Sequence, residues 1–420
     1  MIKKSVYLLI FSLFFSFLGG CLPKSKEPVK PEVLPAYPYK KREAVGREDA
    51  LALLNNNEPL YFIDDISRDS LISAAKKNLT WLYRLPEKKE FQYGPLVVTA
   101  GDVIHSLELF IRLVNEFKSF AEFNRDIKEN FHILRSIGRS RNGSVLFTGY
   151  YEPILKGSYK KTGQYKYPIY GKPKDLIQIN LGNFRSKLRG EKISCRYHQG
   201  KIIPYYSRRN IDTEGILSDK NLEIVWLDDP IELFFLHIEG SGLIIFENGT
   251  SCRVNYAAQN GRPYRSIGKL LIKEKKLLRE KVSMDSLKNY LKQYPGEMER
   301  IFNYNESYIF FRTVEKGPLG CLGFPLTPGR SIATDRRFFP SGALAFIVTE
   351  KPLLNEKNKF VRYKKFSRFV FNQDTGGAIT GPGRVDLFFG TGEKTGSRAG
   401  YVKNEGELYF LIAKNPGKDN

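Results

Sequence analysis

Residues that bind metals or react with substrates are scarce in this chain. Its 420 residues include only four cysteines and four histidines. No histidine stands at zinc-site spacing from another histidine or a cysteine, so we expect no metal site and no cofactor. The sequence also lacks a phosphate-binding loop that ends in Gly-Lys-Ser/Thr and a G-x-S-x-G nucleophile elbow. Nucleotide-dependent enzymes and α/β-hydrolases are therefore poor interpretations.

The few cysteines allow at most one disulfide beyond the N-terminal region. An exported protein could form one, and Cys195 with Cys252 is the pair that we predict, which leaves Cys321 free. Connectivity cannot be read from sequence, so this pairing depends on the structure.

Long hydrophobic runs are also absent, apart from one short run at the N-terminus. Lys3 and Lys4 precede an apolar stretch over residues 5–18. This stretch is shorter than the roughly 20 residues that a membrane-spanning helix needs. The run is instead typical of a signal peptide, which we place at residues 1–20 and exclude from the fold.

A cysteine stands where cleavage of the signal peptide would fall. Gly19 and Gly20 precede Cys21, which predicts a lipoprotein whose lipid anchor is attached to the Cys21 thiol. The other interpretation is an ordinary signal peptide with a chance cysteine. Residues 21–45 are rich in proline and lysine and predict an extended tether. Leu22 after the lipidated cysteine favours the outer membrane, with the folded part facing the periplasm.

Acidic residues are outnumbered, and the formal charge is +22 with an isoelectric point near 9.6. A strongly basic protein favours polyanionic partners. An exported lipoprotein rarely meets nucleic acid, so we expect no nucleic-acid partner, whereas cell wall with peptide carboxylates is available to it. A generally basic proteome explains the charge equally well, so charge alone decides little.

Periodicity divides the remaining chain into helical and strand-rich regions. Residues 46–140 are predicted to be mostly helical, and strands begin near Ser144. The apolar segments LEIVWL, IELFFLHIEG and GLIIFENG are predicted as buried strands. Helices return over 265–303, and a second strand-rich region follows. This order predicts an α+β, mainly β, protein with barrel-like domains, in which the region from Pro153 to about 305 could be an insertion.

The segment 372–400 is the most site-like part of the sequence. It is dense in glycine, which lets a backbone approach a ligand closely, and it contains Asp374 and Asp386. Asp386 is surrounded by Val385, Leu387 and other bulky apolar residues. Poor solvation favours the protonated carboxyl that a general acid needs. A solvent-facing aspartate on a half-exposed strand fits the same pattern.

Several segments together resemble one family, the membrane-bound lytic murein transglycosylase A family. They span residues 145 to 402 and include FTGYYEP, HIEGSG, YRSIGKLLI, YIFFR, GFPLTPGRSIATDRRFFPSGA and QDTGGAITGPGRVDLFFGTGEKTGSRAG. The resemblance implies a double-psi β-barrel domain with an inserted second, smaller β-barrel domain and a groove between the two. It places the first domain at 46–154 plus 306–420 and the inserted domain at 155–305.

The resemblance also implies an activity. A peptidoglycan lytic exotransglycosylase, a lyase, would cleave the MurNAc-GlcNAc β-1,4 bond without water and leave 1,6-anhydromuramic ends. Asp386 would be the single general acid/base, and Asp374 would support it. The residues do not distinguish cleavage at chain ends from internal cleavage. Peptidoglycan glycan strands would be the main partner, and cell-wall synthesis or division proteins are candidate protein partners.

The other expected site residues line the groove and bind substrate: Thr148, Tyr150, Glu152, Gly240, Ser241, Gly376, Gly377 and Arg384. Glu152 leaves a second interpretation open. If Glu152 or Asp374 acted as a second carboxylate beside Asp386, the protein would be a conventional peptidoglycan hydrolase. A non-catalytic wall-binding lipoprotein that keeps the groove is the third interpretation.

Overall fold

The computed structural model describes residues 46–55, 58–188 and 191–414. The predicted signal peptide, the lipidation site Cys21 and the predicted tether lie outside these residues. The helices are α1 (Arg68–Leu82), α2 (Ala100–Asn115), α3 (Phe120–Asn130), α4 (Pro230–Glu239), α5 (Ile267–Lys273), α6 (Met284–Gln293), α7 (Met298–Tyr304) and α8 (Glu393–Tyr401). In the part of the chain that the structure describes, no helix is long and apolar enough to cross a membrane.

The strands outnumber the helices, which confirms the mainly β, α+β class. They are β1 (Leu51–Leu53), β2 (Glu90–Tyr93), β3 (Leu96–Thr99), β4 (Phe131–Ser136), β5 (Val145–Glu152), β6 (Ile154–Ser158), β7 (Tyr167–Tyr170), β8 (Ile177–Asn180), β9 (Lys192–His198), β10 (Lys201–Pro204), β11 (Glu223–Leu227), β12 (Ser241–Ile245), β13 (Ser251–Gln259), β14 (Ile309–Val314), β15 (Ser331–Ala333), β16 (Leu344–Leu354), β17 (Phe360–Asp374), β18 (Arg384–Thr391) and β19 (Lys403–Ala413).

Six strands close into a barrel. Their order is β19-β16-β17-β15-β18-β5, and β5 pairs again with β19. The β15–β17 and β18–β5 pairs are parallel, and the other four are antiparallel. Closure leaves no free edge within the ring, while β4 and β1 extend the sheet outward from β19. The barrel therefore joins a strand near residue 150 to strands from the last quarter of the chain.

A second sheet of six strands is formed by the middle of the chain. Its order is β14-β13-β12-β6-β11-β7, and a parallel bridge between Gly171 and Phe311 brings the end of β7 back to β14. The chain leaves the barrel after β5, forms this sheet, and returns to the barrel at β15. Since β14 pairs with β13, the sheet continues past residue 305. The exact division into two domains remains a proposal.

The N-terminal helices α1 and α2 pack against the barrel through their apolar faces. Thr99 and Asp102 form a capping box at the start of α2, and Ser67 caps α1. Leu107 and Phe110 of α2 are buried in the same core as the barrel strands.

Two sequence-based assignments are wrong. IELFFLHIEG forms helix α4 and not a strand, because Asp229 caps it, Pro230 occupies its first turn and Gly240 ends it in the left-handed conformation. A short apolar run does not separate a buried helix from a strand by periodicity alone. The described residues of the region 46–140 also form four strands, β1 to β4, beside their helices.

The predicted Cys195–Cys252 disulfide is also wrong. Cys195, Cys252 and Cys321 are all free thiols. Cys195 lies on β9 of a separate three-stranded sheet, whereas Cys252 lies on β13 of the second six-stranded sheet. Spacing along the chain carries no information about this separation.

Candidate active site

A row of paired residues crosses four neighbouring strands of the barrel. Ala333 on β15 pairs with Asp374 on one side and with Asp386 on the other. Asp386 in turn pairs with Thr148 on β5. Paired residues on adjacent strands share a face of the sheet, so the two carboxylates lie one strand apart, about 10 Å between backbones. The barrel thus joins residues that are more than 200 positions apart in sequence.

The Asp386 carboxyl group is held on one oxygen. The Thr148 hydroxyl donates to Asp386 Oδ1, and Arg384 Nε donates to the same oxygen at 3.3 Å. Arg384 is itself fixed by a 2.9 Å hydrogen bond to the Ala378 carbonyl. The Asp386 side chain keeps 16% of its surface exposed. Among the described residues none donates to Oδ2, so this oxygen can contact a substrate.

Asp374 lies deeper and is held more completely. Tyr150 Oη donates to Asp374 Oδ2 at 3.0 Å, and the Cys321 backbone N–H donates to Oδ1 at 3.1 Å. Desolvation raises the pKa of Asp374 to about 6 although these donors oppose the shift, and the nearby Asp386 adds to it. Both oxygens are therefore occupied, which suits a group that positions its neighbours.

Removal of the Asp374 charge should change how stability depends on pH. A folded-state pKa of about 6, above the usual 3.8, means that this group stabilises the fold at low pH and that the stabilisation is lost as pH rises through about 6. We expect the unfolding free energy of wild type relative to Asp374→Asn to fall by about 3 kcal/mol as pH rises from 3.8 to about 6. Urea unfolding at several pH values measures it, and a constant difference would contradict the expectation.

The remaining expected site residues lie in three places. Tyr150 follows Thr148 on the same face of β5, and its ring packs against Phe388. Gly376 and Gly377 belong to the turn between β17 and β18, on the Asp374 side of the row. Gly240 and Ser241 lie at the junction of α4 and β12, in the second sheet.

Glu152 occupies a different environment. Its side chain is fully buried, its Oε1 accepts from Arg253 Nε at 2.9 Å, and its Oε2 accepts from the Thr391 hydroxyl at 2.7 Å. It pairs with Thr391, while Thr148 pairs with Asp386, so about 13 Å of strand separates the two positions. Its carboxylate joins the barrel to Arg253 of β13.

One site residue was missed by sequence reasoning. Glu239, the last residue of α4, lies close enough to Asp386 for the negative charge of Asp386 to raise the pKa of Glu239. Desolvation raises the pKa of Glu239 to about 8. The signal was an acidic residue between a buried apolar run and Gly240, but the assignment of that run as a strand hid it.

Comparisons with known proteins identify the family of this chain. Residues 146–312 match the family model described as MltA specific insert domain, and residues 330–412 match the 3D domain model. The membrane-bound lytic murein transglycosylase A of Escherichia coli K12 is 31% identical over 323 residues, which cover 76% of this chain and 78% of that protein. The chain belongs to the membrane-bound lytic murein transglycosylase A family.

Solved structures of the family also match the fold. The membrane-bound lytic murein transglycosylase of Agrobacterium tumefaciens has a TM-score of 0.70 at 30% identity, and the match covers 87% of this chain and 98% of that one. The E. coli MltA structure with bound chitohexaose has a TM-score of 0.65 at 24% identity, covering 87% and 95%. The fold expected from the resemblance to the membrane-bound lytic murein transglycosylase A family is confirmed.

Proposed function

We propose that the protein is a peptidoglycan lytic transglycosylase in which Asp386 is the single general acid/base. Membership of the lytic murein transglycosylase A family supports the activity. The observation that carries the mechanism is the Asp386 carboxyl group, held on Oδ1 by Thr148 and Arg384 while no described residue donates to Oδ2. A solved relative with bound chitohexaose supports a glycan substrate.

The first step breaks the glycosidic bond. Protonated Asp386 gives its proton to the oxygen between N-acetylmuramic acid and N-acetylglucosamine, and positive charge develops at C1 of the muramic residue. The N-acetylglucosamine leaves with that proton as a free hydroxyl. The Thr148 hydroxyl and the Arg384 guanidinium stabilise the Asp386 carboxylate that forms.

The second step closes a ring and needs no water. The Asp386 carboxylate takes the proton of the muramic C6 hydroxyl, whose oxygen attacks C1 and forms the 1,6-anhydro bond. Because the nucleophile is already attached to the sugar, the closure gains from proximity. Asp386 ends protonated, as it began. Asp374 supports the step by fixing Tyr150 beside the row of paired residues.

Product analysis tests this proposal directly. Purified peptidoglycan is incubated with the full-length protein in detergent, and the muropeptides are identified by mass spectrometry. We expect 1,6-anhydromuramic ends. Products heavier by one water would indicate the hydrolase, and no products from folded protein would indicate the wall-binding interpretation.

A two-carboxylate hydrolase would need Glu152 or Asp374 as a second catalytic carboxylate, and the structure argues against Glu152. We expect Glu152→Gln to lower kcat by less than about tenfold, because the buried carboxylate contacts Arg253 and Thr391 and lies far from Asp386. Its melting temperature should fall, since the ion pair with Arg253 is lost. Turnover measured beside a melting curve separates the effects. A loss of turnover as large as that of an Asp386 variant would instead support a second catalytic carboxylate.

Membrane association is proposed to depend on the N-terminal region. Relatives of this chain are named membrane-bound, and we propose that the anchor is a lipid on Cys21 that places the enzyme at the outer membrane, facing the periplasm. Cell-wall synthesis or division proteins are the candidate protein partners. A Cys21→Ser variant that still fractionates with the outer membrane would contradict the anchor.

A further inference from the structure

Glu239 stands at the point where the second sheet approaches the barrel. It is the last residue of α4, and Gly240 ends the helix with φ of 78°. The C-terminal end of a helix carries partial negative charge, which disfavours a carboxylate there. Ser241 then begins β12. The chain therefore turns sharply at Glu239 and presents its side chain towards β5.

The hydrogen bonds of Glu239 use only one of its two oxygens. The Tyr151 backbone N–H donates to Oε2 at 3.1 Å. The register between β18 and β5 shifts between Phe388 and Thr391, next to Tyr151. The Tyr151 N–H therefore donates to the Glu239 side chain and not to a backbone carbonyl of the neighbouring strand. Within the residues that the structure describes, no hydrogen bond is formed by Oε1 and none joins Glu239 to Asp386.

The surrounding charges favour the neutral form of this carboxyl group. Desolvation raises the pKa of Glu239 to about 8, and the negative charge of Asp386 on β18 adds to the shift. The Tyr151 N–H and the Lys288 ammonium on α6 oppose it. Other titratable groups lie around Tyr151 and Glu239: Glu232 on α4, Tyr264 before α5, Asp285 on α6 and Glu393 on α8.

We propose that Glu239 acts as a neutral carboxylic acid that donates a hydrogen bond to a hydroxyl or acetamido oxygen of the glycan bound beside Asp386. Since Oε2 accepts from Tyr151, the proton belongs on Oε1, the oxygen without a described partner. Sugar oxygens accept such a bond. The assignment rests on the proposed function of Asp386 and gives that site a substrate contact from the end of α4.

Loss of the Glu239 proton should lower kcat/KM. An ionised Glu239 cannot donate a hydrogen bond from Oε1 to the glycan. We therefore expect kcat/KM to fall as pH rises through about 8. The tyrosines around the site do not explain such a limb, because burial raises the pKa of Tyr151 and of Tyr264 above the ordinary tyrosine value of 10.

The test compares pH profiles of kcat/KM for the full-length protein and two variants on purified peptidoglycan. Glu239→Gln keeps a donor but cannot ionise, so it should lose the alkaline limb while it retains activity within about tenfold near neutral pH. Lys288→Met removes the cation that lowers the pKa of Glu239. It should keep wild-type turnover near neutral pH and move the limb to higher pH.

Each outcome has a distinct meaning. An alkaline limb that is unchanged in both variants would overturn the role of Glu239. A limb that shifts only in Lys288→Met, with Glu239→Gln unfolded in circular dichroism, would still support it. If the wild-type products lack 1,6-anhydro ends, the proposed function fails first, and the pH profiles then apply to another reaction.

Discussion

Substitution of Asp386 by asparagine should lower kcat on purified peptidoglycan by about 10³-fold. Asparagine has nearly the same shape, and its amide oxygen can still accept from the Thr148 hydroxyl that now binds Oδ1. It has no proton to give to the glycosidic oxygen and no carboxylate to receive one from the C6 hydroxyl. Both steps of the proposed reaction depend on that proton, so the anhydro products should disappear. Quantitative mass spectrometry of the released muropeptides measures the loss.

The control for Asp386→Asn is a carboxylate outside the site. Asp126 lies on the outer helix α3, and Asp126→Asn should keep wild-type turnover. Thr148→Val gives an intermediate comparison, because it removes one donor to Asp386 but leaves the proton. We expect about a tenfold loss for Thr148→Val. Anhydro products from Asp386→Asn above a tenth of the wild-type rate would mean that another group supplies the proton.

Most strands of the barrel could be predicted because each carries its own pattern, whereas the three-residue β15 was not predicted. The segments around Phe147, Phe346 and Val385 are rich in aromatic and β-branched residues and end at turns, and all three became barrel strands. What the pattern could not predict is their order. The pairing of β5 with β18 joins Thr148 to Asp386, and it follows from packing of the whole chain, not from local preference. The resemblance to a known family implied only that residues 46–154 and 306–420 form one barrel domain, not the order of its strands.

The roles of the acidic residues could not be predicted from the sequence alone. Glu152 and Glu239 both stand in segments that combine a carboxylate with glycine or aromatic residues. In the structure Glu152 is buried against Arg253, whereas Glu239 faces Tyr151 and lies near Asp386. The solvation and the hydrogen-bond partners of each carboxyl group depend on residues about 90 to 150 positions away in sequence. The sequence alone gave no reason to prefer Glu239.

A buried arginine outside the row of paired residues should have the largest effect on stability. The Arg330 side chain has no exposed surface, and its guanidinium donates to both oxygens of Asp64 at 2.5 and 2.8 Å. It also donates to the Phe369 carbonyl at 2.7 Å and to the Ser67 carbonyl at 3.0 Å, at the start of α1. We expect Arg330→Met to lower the unfolding free energy by about 3 to 5 kcal/mol, because Asp64 keeps its charge without a cation. Urea unfolding, followed by tryptophan fluorescence, measures it.

A second substitution tells whether the stranded carboxylate causes that loss. Asp64→Asn in the Arg330→Met background removes the unpaired charge, so we expect it to recover part of the lost stability, which a double-mutant cycle would measure. Arg362→Met, on the exposed part of β17, is the matched control and should change stability by less than about 0.5 kcal/mol. If Arg330→Met were as mild as Arg362→Met, the Arg330–Asp64 pair would not be what holds the N-terminal segment against β15 and β17. If the double variant recovered nothing, the lost carbonyl contacts of Arg330 would account for the destabilisation, and the ion pair itself would contribute little.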